Sequence, residues 1–239
     1  MEQHLYSPEE LALVPEVALN LSRGCGNPTG FANIQRGEVA ADFGCGGGID
    51  VILAANKVGP EGRVIGIDFA PQMIERARQA VAAAGLHRNI EFVIADLDKT
   101  ELPNSSVDVV ISNCVINLIP DKEAVYREAS RILKSGGRIA ISDIVLSQAI
   151  DPELQERFQS TWPGCLGGAI IEADYLQIFA NAGFARIQMV ARHLLTTVEL
   201  AAMACCPGEE FTPAPAPEDL AAVQGKVASI KFKAVKQLG

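Results

Sequence analysis

No stretch of this chain reaches the roughly 18 uncharged apolar residues of a membrane helix, so no span is expected. The first residues, Met1-Glu2-Gln3-His4, carry neither the basic nor the apolar region of a secretory signal, which predicts a cytoplasmic protein. Basic residues are in the minority, 20 Lys and Arg against 29 Asp and Glu. The resulting net charge of −9 disfavours a nucleic-acid backbone as partner. No C-x-x-C pair occurs, which removes zinc ribbons and thioredoxin-type redox sites. The six cysteines, Cys25, Cys45, Cys114, Cys165, Cys205 and Cys206, therefore read as thiols rather than as a disulfide framework. The three histidines, His4, His87 and His193, stand in no catalytic pattern, and no internal repeat is visible.

What the chain does have is concentrated first in residues 38–50. An apolar run interrupted by Asp42 leads into Gly44-Cys45-Gly46-Gly47-Gly48, after which a helical pattern resumes. This reads as a buried strand, a tight turn and a helix start, a geometry that lets backbone N–H groups approach a ligand. A dinucleotide loop needs G-x-G-x-x-G, and counting from Gly44 the last glycine falls on Ile49, so that fingerprint fails. An acid ahead of the glycines suits a ligand carrying an ammonium group instead. The pattern resembles motif I of the class I S-adenosylmethionine-dependent methyltransferases; a glycine turn without a ligand is the alternative.

The rest of the chain fits an α/β architecture with an N-terminal arm (1–36), a Rossmann-like core (37–150) and a C-terminal extension (151–239). Ser7-Pro8-Glu9-Glu10 reads as a helix start with a capping box, Pro15 restarts or kinks that helix, and residues 24–28 stop it. Strands are expected at 39–43, 64–68, 90–95, 107–113 and 138–143, alternating with helices at 49–57, 71–84 and 121–133. The last of these helices is expected to close at Lys134-Ser135-Gly136-Gly137. Residues 151–158 and 172–182 read as helices, and 185–195 with 227–236 as a closing antiparallel pair. Residues 207–217, rich in proline and glutamate, read as an exposed loop. The alternation implies a doubly wound, mostly parallel, seven-stranded sheet, which binds ligands beyond the carboxyl ends of its strands. Asp42, Asp68, Asp96 and Asn113 all fall at such ends.

A second group of motifs is more specific. Ser112-Asn113-Cys114-Val115-Ile116-Asn117-Leu118-Ile119-Pro120-Asp121-Lys122, Gly24-Cys25-Gly26-Asn27-Pro28 and Gly164-Cys165-Leu166-Gly167-Gly168-Ala169 resemble the arsenite methyltransferases. The resemblance runs from about Tyr6 to Phe184. It implies the class I fold, methyl transfer from S-adenosylmethionine to trivalent arsenic, and three arsenic-binding thiolates, Cys25, Cys114 and Cys165. Trivalent arsenic is soft and thiophilic, so the donor set suits it. With three sulfurs bound it keeps one lone pair, the nucleophile, and holding it in line with the methyl is worth ~7–11 kcal/mol. On an apolar strand Cys114 alone would read as a core residue.

The class I pattern further implies cofactor contacts from Asp42 and the Gly44–Gly48 loop to the methionine portion, and from Asp68 to the ribose hydroxyls. Phe69 and Met73 would pack on the adenine, although helix–sheet packing explains their spacing nearly as well. Asp96 or Asp98, with Leu97, would meet the adenine edge, and Asn113 would line the methyl-transfer end. Cys45 reads as a small lining residue of the loop, not a ligand. The adjacent Cys205 and Cys206 would bind arsenic, relay it, exchange disulfides with a thioredoxin- or glutathione-type reductant, or be a surface feature. Where some arsenite methyltransferases carry aromatic residues just before the Gly-Cys-Gly motif, this chain has Asn20-Leu21-Ser22-Arg23. Two other functions remain compatible with the motifs. One is methylation of an organic small molecule, which calls for a general base that no His or Tyr motif supplies. The other is non-catalytic arsenic binding, which needs no cofactor pocket.

Overall fold

The computed structural model describes residues 5–19, 24–86, 88–161, 166–204 and 216–237. Seven strands form one sheet: β1 (Val39–Phe43), β2 (Arg63–Asp68), β3 (Ile90–Ile94), β4 (Val107–Asn113), β5 (Leu133–Leu146), β6 (Phe184–Leu194) and β7 (Val227–Lys236). Their spatial order is β3-β2-β1-β4-β5-β7-β6. Pairing is parallel from β3 to β5, and β7 runs antiparallel to both β5 and β6. The chain winds outward from β1 to β3 and then returns to β4, so a crevice opens between the carboxyl ends of β1 and β4.

Near-continuous apolar strands follow from burial on both sheet faces. Ala40, Val64, Val109 and Ala140 pack on one side with α4 (Ile49–Val58) and α5 (Pro71–Ala83). Ala41, Ile65, Val110 and Ile141, each one residue further along, pack on the other with α6 (Lys122–Ile132) and α8 (Glu172–Asn181). Consecutive side chains point to opposite faces, and both faces are covered. The N-terminal arm packs against the α4 side of the sheet. It consists of α1 (Pro8–Leu13), α2 (Glu16–Leu19) and α3 (Pro28–Phe31), and its Tyr6, Val14 and Ala18 join the α4 face. Ser7 and Glu10 make the reciprocal capping box that starts α1, a device worth about 1 kcal/mol. Phe179 on α8 stacks on Phe184 at 4.5 Å and meets Tyr126 and Phe232 edge-on at 4.8 and 5.0 Å. Each such pair adds roughly 0.5–1.5 kcal/mol beyond burial. The cluster fixes α8, and with it Tyr175, one turn away.

Two expectations need correction. The chain leaves α6 at Ile132 and enters β5 at once, so Lys134-Ser135-Gly136-Gly137 does not cap a helix. Leu133 pairs with Val107 and Arg138 with Val109, so the strand carries extra residues between two ladder positions. The two glycines sit in that bulge, where Gly136 takes φ +74. Residues 24–28 do not merely stop a helix, because Asn27 caps α3 through its side chain and Pro28 opens it. Of the region read as a loop, 207–215 lie outside the described residues, and α9 (Thr197–Ala204) and α10 (Pro217–Ala222) stand on either side of it in the chain. With α7 (Pro152–Thr161) they contribute Leu154, Leu200 and Leu220 to a third, smaller cluster beyond the carboxyl end of β4. Among the described residues no helix is long and apolar enough to cross a membrane.

Candidate active site

The turn after β1 bends through Gly44, Gly46 and Gly48, whose φ values of +73, +48 and +87 are natural only for glycine. Four of its N–H groups are engaged within the protein. Gly44 and Cys45 donate to the Ile67 carbonyl, Gly48 to that of Cys45, and Gly46 to Asp68 Oδ2 at 2.9 Å. The turn is thus tied to the end of β2, and what it offers is clearance: a Cβ on Gly46 would meet nothing within 4 Å. A Cβ on Gly44 would lie 2.4 Å from Val115, so the loop after β4 closes on the turn.

Three carboxylates surround this turn. Asp42, Asp50 and Asp68 are all buried. Burial first, then Asp50 and Asp68, pushes the Asp42 carboxyl well above its ordinary range. Among the described residues its Oδ2 has no hydrogen-bond partner. A buried unpartnered carboxylate oxygen among like charges is costly unless a cation with N–H donors completes it. Asp68 accepts from the backbone N–H groups of Gly46 and Ala70, and each oxygen keeps a lone pair for a hydroxyl. An orphaned acid, an open glycine cradle and a ribose-type acid on the next strand fit a cofactor with an ammonium group and a nucleoside.

The second half of the site is built around Asn113. Its Oδ1 accepts the N–H groups of Cys25 and Gly26 at 3.0 and 3.2 Å, and its Nδ2 donates to the Gly26 carbonyl at 2.8 Å. The same Nδ2 reaches Asp50 Oδ2 at 3.0 Å and the Tyr6 hydroxyl at 3.2 Å. The amide of Asn113, expected from the sequence at the cofactor, thus holds the Cys25 segment. The Gly-Cys-Gly spacing follows from the same contact: a Cβ on Gly24 would lie 2.4 Å from Asn113 Nδ2, and one on Gly26 1.9 Å from Ser142 Oγ. Asp50 is held by Tyr6 and Asn113, and burial pushes its carboxyl up to about 6.

Immediately after Asn113 the chain turns, and Cys114 takes φ +59, rare for a residue with a side chain. Its sulfur is bonded to that of Cys25, 89 residues away, with the Cα atoms 5.8 Å apart. These two cysteines are therefore a disulfide in this structure, against the expectation of free thiols; clamped side by side, they need no backbone movement to join. A carboxylate oxygen of Asp143, on β5, lies within 4.8 Å of both sulfurs. Asp143 accepts from Asn117 Nδ2, the Ile144 N–H and the Tyr175 hydroxyl. Burial pushes its carboxyl up to about 6. Cys114 belongs to the third cluster, together with Leu166 and Ala169, and Cys25 packs against it. The Gly168 backbone lies so close to the Asn117 carbonyl that a Cβ there would stand 1.8 Å from its oxygen.

The other expected residues divide. Phe69, following Asp68, is 60% exposed, and Met73 is half-buried on α5. Asp96 and Asp98 are exposed, whereas Leu97 between them is buried in the core cluster of the α6 face. Cys45 turns into the opposite core: it is buried and free, and burial, with Asp42 and Asp68, pushes its thiol up. Cys165, Cys205, Cys206, His4, His87 and residues 20–23 lie outside the described residues. The sequence reading missed Asp50, Tyr6, Ser142 and Asp143 as site residues. Asp143 did leave a signal, being a carboxylate inside the apolar run Ile139 to Leu146.

The strand order, the glycine turn closing β1 and the acid closing β2 define a class I methyltransferase fold. Residues 34–183 match the family described as a methyltransferase domain, and the chain belongs to that family. It is 40% identical over 187 residues to an arsenite methyltransferase of Halobacterium salinarum, covering 78% of this chain and 47% of the relative. It is 34% identical over 205 residues to an arsenite methyltransferase of Mus musculus, covering 80% of this chain and 52% of that one. The chain spans about half the length of these curated relatives. The crystal structure of an arsenic(III) S-adenosylmethionine methyltransferase from Chlamydomonas reinhardtii superposes with a TM-score of 0.79 at 28% identity, over 97% of this chain and 73% of that one.

Proposed function

We propose that this chain methylates trivalent arsenic held by Cys25, Cys114 and Cys165, with S-adenosylmethionine as methyl donor. The observation that carries the reading is the meeting of Cys25 and Cys114, from segments 89 residues apart, beside a turn with an orphaned acid. Likeness to arsenite methyltransferases supports it. Two adjacent sulfurs on separate segments suit a soft, thiophilic substrate better than an organic one.

Asp42 and the Gly44–Gly48 turn would hold the methionine end of the cofactor, and Asp68 its ribose. Phe69 and Met73 would flank the adenine, with Asp96 or Asp98 at its edge. When bound, S-adenosylmethionine supplies an electrophilic methyl on a positively charged sulfur. The protein's part is to hold arsenic by sulfur so that its lone pair stays free, to orient it, and to keep water out. Leu166, next in sequence to Cys165, is buried with Cys114 in the cluster over the site.

A bonded Cys25–Cys114 pair holds no arsenic. Two equivalents of an external thiol, of the thioredoxin or glutathione type, must first reduce it to two thiols and leave as a disulfide. The test is incubation with arsenite, S-adenosylmethionine and a thiol reductant, following methylated arsenic by chromatography with elemental mass detection. Product that disappears in Cys114→Ser is expected. No product, with cofactor binding seen by calorimetry, would overturn the reading, and no cofactor binding at all would leave only arsenic sequestration.

A further inference from the structure

We infer that Asp143 receives the hydroxyl that remains on arsenous acid once Cys25 and Cys114 have each bound the arsenic, so that it positions the inorganic substrate and distinguishes it from organic arsenicals. The inference rests on the arsenic reading above. One oxygen of Asp143 lies within 4.8 Å of both sulfurs, and the residue is fully buried. Its Oδ1 is filled by two donors, Asn117 Nδ2 at 3.0 Å and the Ile144 N–H at 2.8 Å. Among the described residues Oδ2 takes the Tyr175 hydroxyl at 2.9 Å, which leaves it one lone pair. Three elements fix the carboxylate: its own strand, the turn carrying Asn117, and α8.

The chemistry is an exchange without electron transfer. Two thiols and one As(OH)3 give (Cys-S)2As–OH and two waters, each thiol proton leaving with a displaced hydroxyl. The remaining As–OH donates to Asp143 Oδ2. That bond fixes the rotation of the arsenic, and hence its lone pair, until the third thiol replaces the hydroxyl and a third water leaves. A monoorganyl arsenical has two exchangeable oxygens, and the two sulfurs replace both. It retains no hydroxyl for Asp143.

The two substrates therefore separate this role from a structural one. The full chain in a Cys165→Ser background, which stops exchange at two sulfurs, is reduced with a phosphine and titrated with arsenite and with phenylarsine oxide. Asp143→Asn preserves shape and should weaken arsenite by roughly ten- to hundredfold, the worth of a hydrogen bond to a charged acceptor, with phenylarsine oxide unchanged. X-ray absorption of the arsenite complex should count two sulfurs and one oxygen before the substitution. Equal losses for both arsenicals, or none for either, would overturn the inference. If Asp143→Asn fails to fold, Tyr175→Phe replaces it: freeing Oδ2 of its competing donor should shift arsenite affinity relative to phenylarsine oxide, and an unchanged ratio would overturn the role. If the reduced, unsubstituted chain binds neither arsenical, the arsenic reading itself falls.

Discussion

Asn113→Asp is the sharpest probe of how the site is assembled, because the change is isosteric and confined to one atom. The acceptor Oδ1 survives, so the N–H groups of Cys25 and Gly26 keep their partner. The donor Nδ2 becomes an oxygen facing the Gly26 carbonyl at 2.8 Å and Asp50 Oδ2 at 3.0 Å. The lost bond to a carbonyl is worth about 0.5–1.5 kcal/mol and the one to a carboxylate about 1.5–3, so roughly 2–4 kcal/mol of stability should go at pH 7. Repulsion between the two carboxylates does not add in full, because one of them takes up a proton and the pair then shares it. The loss should accordingly shrink as pH falls from 7 towards 5. Urea unfolding of the reduced protein measures the stability, and titration with arsenite and with S-adenosylmethionine measures the two affinities. Arsenite affinity should fall with the Cys25 segment, and cofactor affinity should change much less. Equal stability, or a loss confined to the cofactor, would refute the view that Asn113 positions Cys25 rather than binding cofactor.

Three further outcomes are expected. Burial and its acidic neighbours hold the Asp42 carboxyl well above its ordinary range, and an ammonium group beside it should lower it, so that cofactor binding releases protons. The apparent binding enthalpy of S-adenosylmethionine should then vary with the ionisation enthalpy of the buffer and the affinity should rise with pH; enthalpies equal across buffers would sink this. Gly26→Ala should separate Cys25 from Cys114, since its Cβ would stand 1.9 Å from Ser142 Oγ, and adding Ser142→Gly should restore arsenite binding; a lone Gly26→Ala that binds normally refutes the packing argument. Asp50 and Asp143 have folded-state values of about 6, above their unfolded ones, so the native state binds more protons and stability should fall as pH rises from about 4 to 6. Glu38 and Glu128 are held low by Arg138 and Arg131 and lose their contribution as pH falls below their ordinary values, which places the optimum between the two windows. A urea midpoint rising steadily from pH 5 to 7 would contradict this.

The sheet was legible because its signals are local. Strands β1, β2 and β3 end where apolar runs meet a glycine or an acid, and period and punctuation are read over a few residues. The β5 bulge was not legible, because Gly136-Gly137 looks the same after a helix as inside a strand, and only the pairing of Leu133 with Val107 decides. Helix α9 was missed although its signal was present. Thr196 and Glu199 make a reciprocal capping box, with the Glu199 N–H donating to Thr196 Oγ1 and the Thr196 N–H to Glu199 Oε2. The Cys25–Cys114 pairing, the clamp on Asn113 and the third member Asp143 lie far apart in sequence, and resemblance supplied the two cysteines without the geometry.

The strain at Cys114 shows why the site stands at a strand end. In a continuing strand, residues 113 and 114 would point to opposite faces of the sheet. Asn113 would then face the N-terminal arm while Cys114 faced the α6 side, with a sheet between the amide that holds Cys25 and the sulfur that must meet it. The switch to φ +59 removes that separation while the Cys114 N–H still donates to the Ser142 carbonyl at 2.8 Å. The sulfur is turned beyond the sheet edge, toward Cys25 and the small C-terminal cluster, and the ladder is kept for one residue more. A left-handed non-glycine residue costs of order 1–3 kcal/mol and persists only where its surroundings over-determine it. Here a ladder hydrogen bond, Val115 packed on Gly44 and the Cys25 bond supply that constraint. A glycine would relieve the backbone and remove the sulfur, so the strain at position 114 is inseparable from the bond to Cys25.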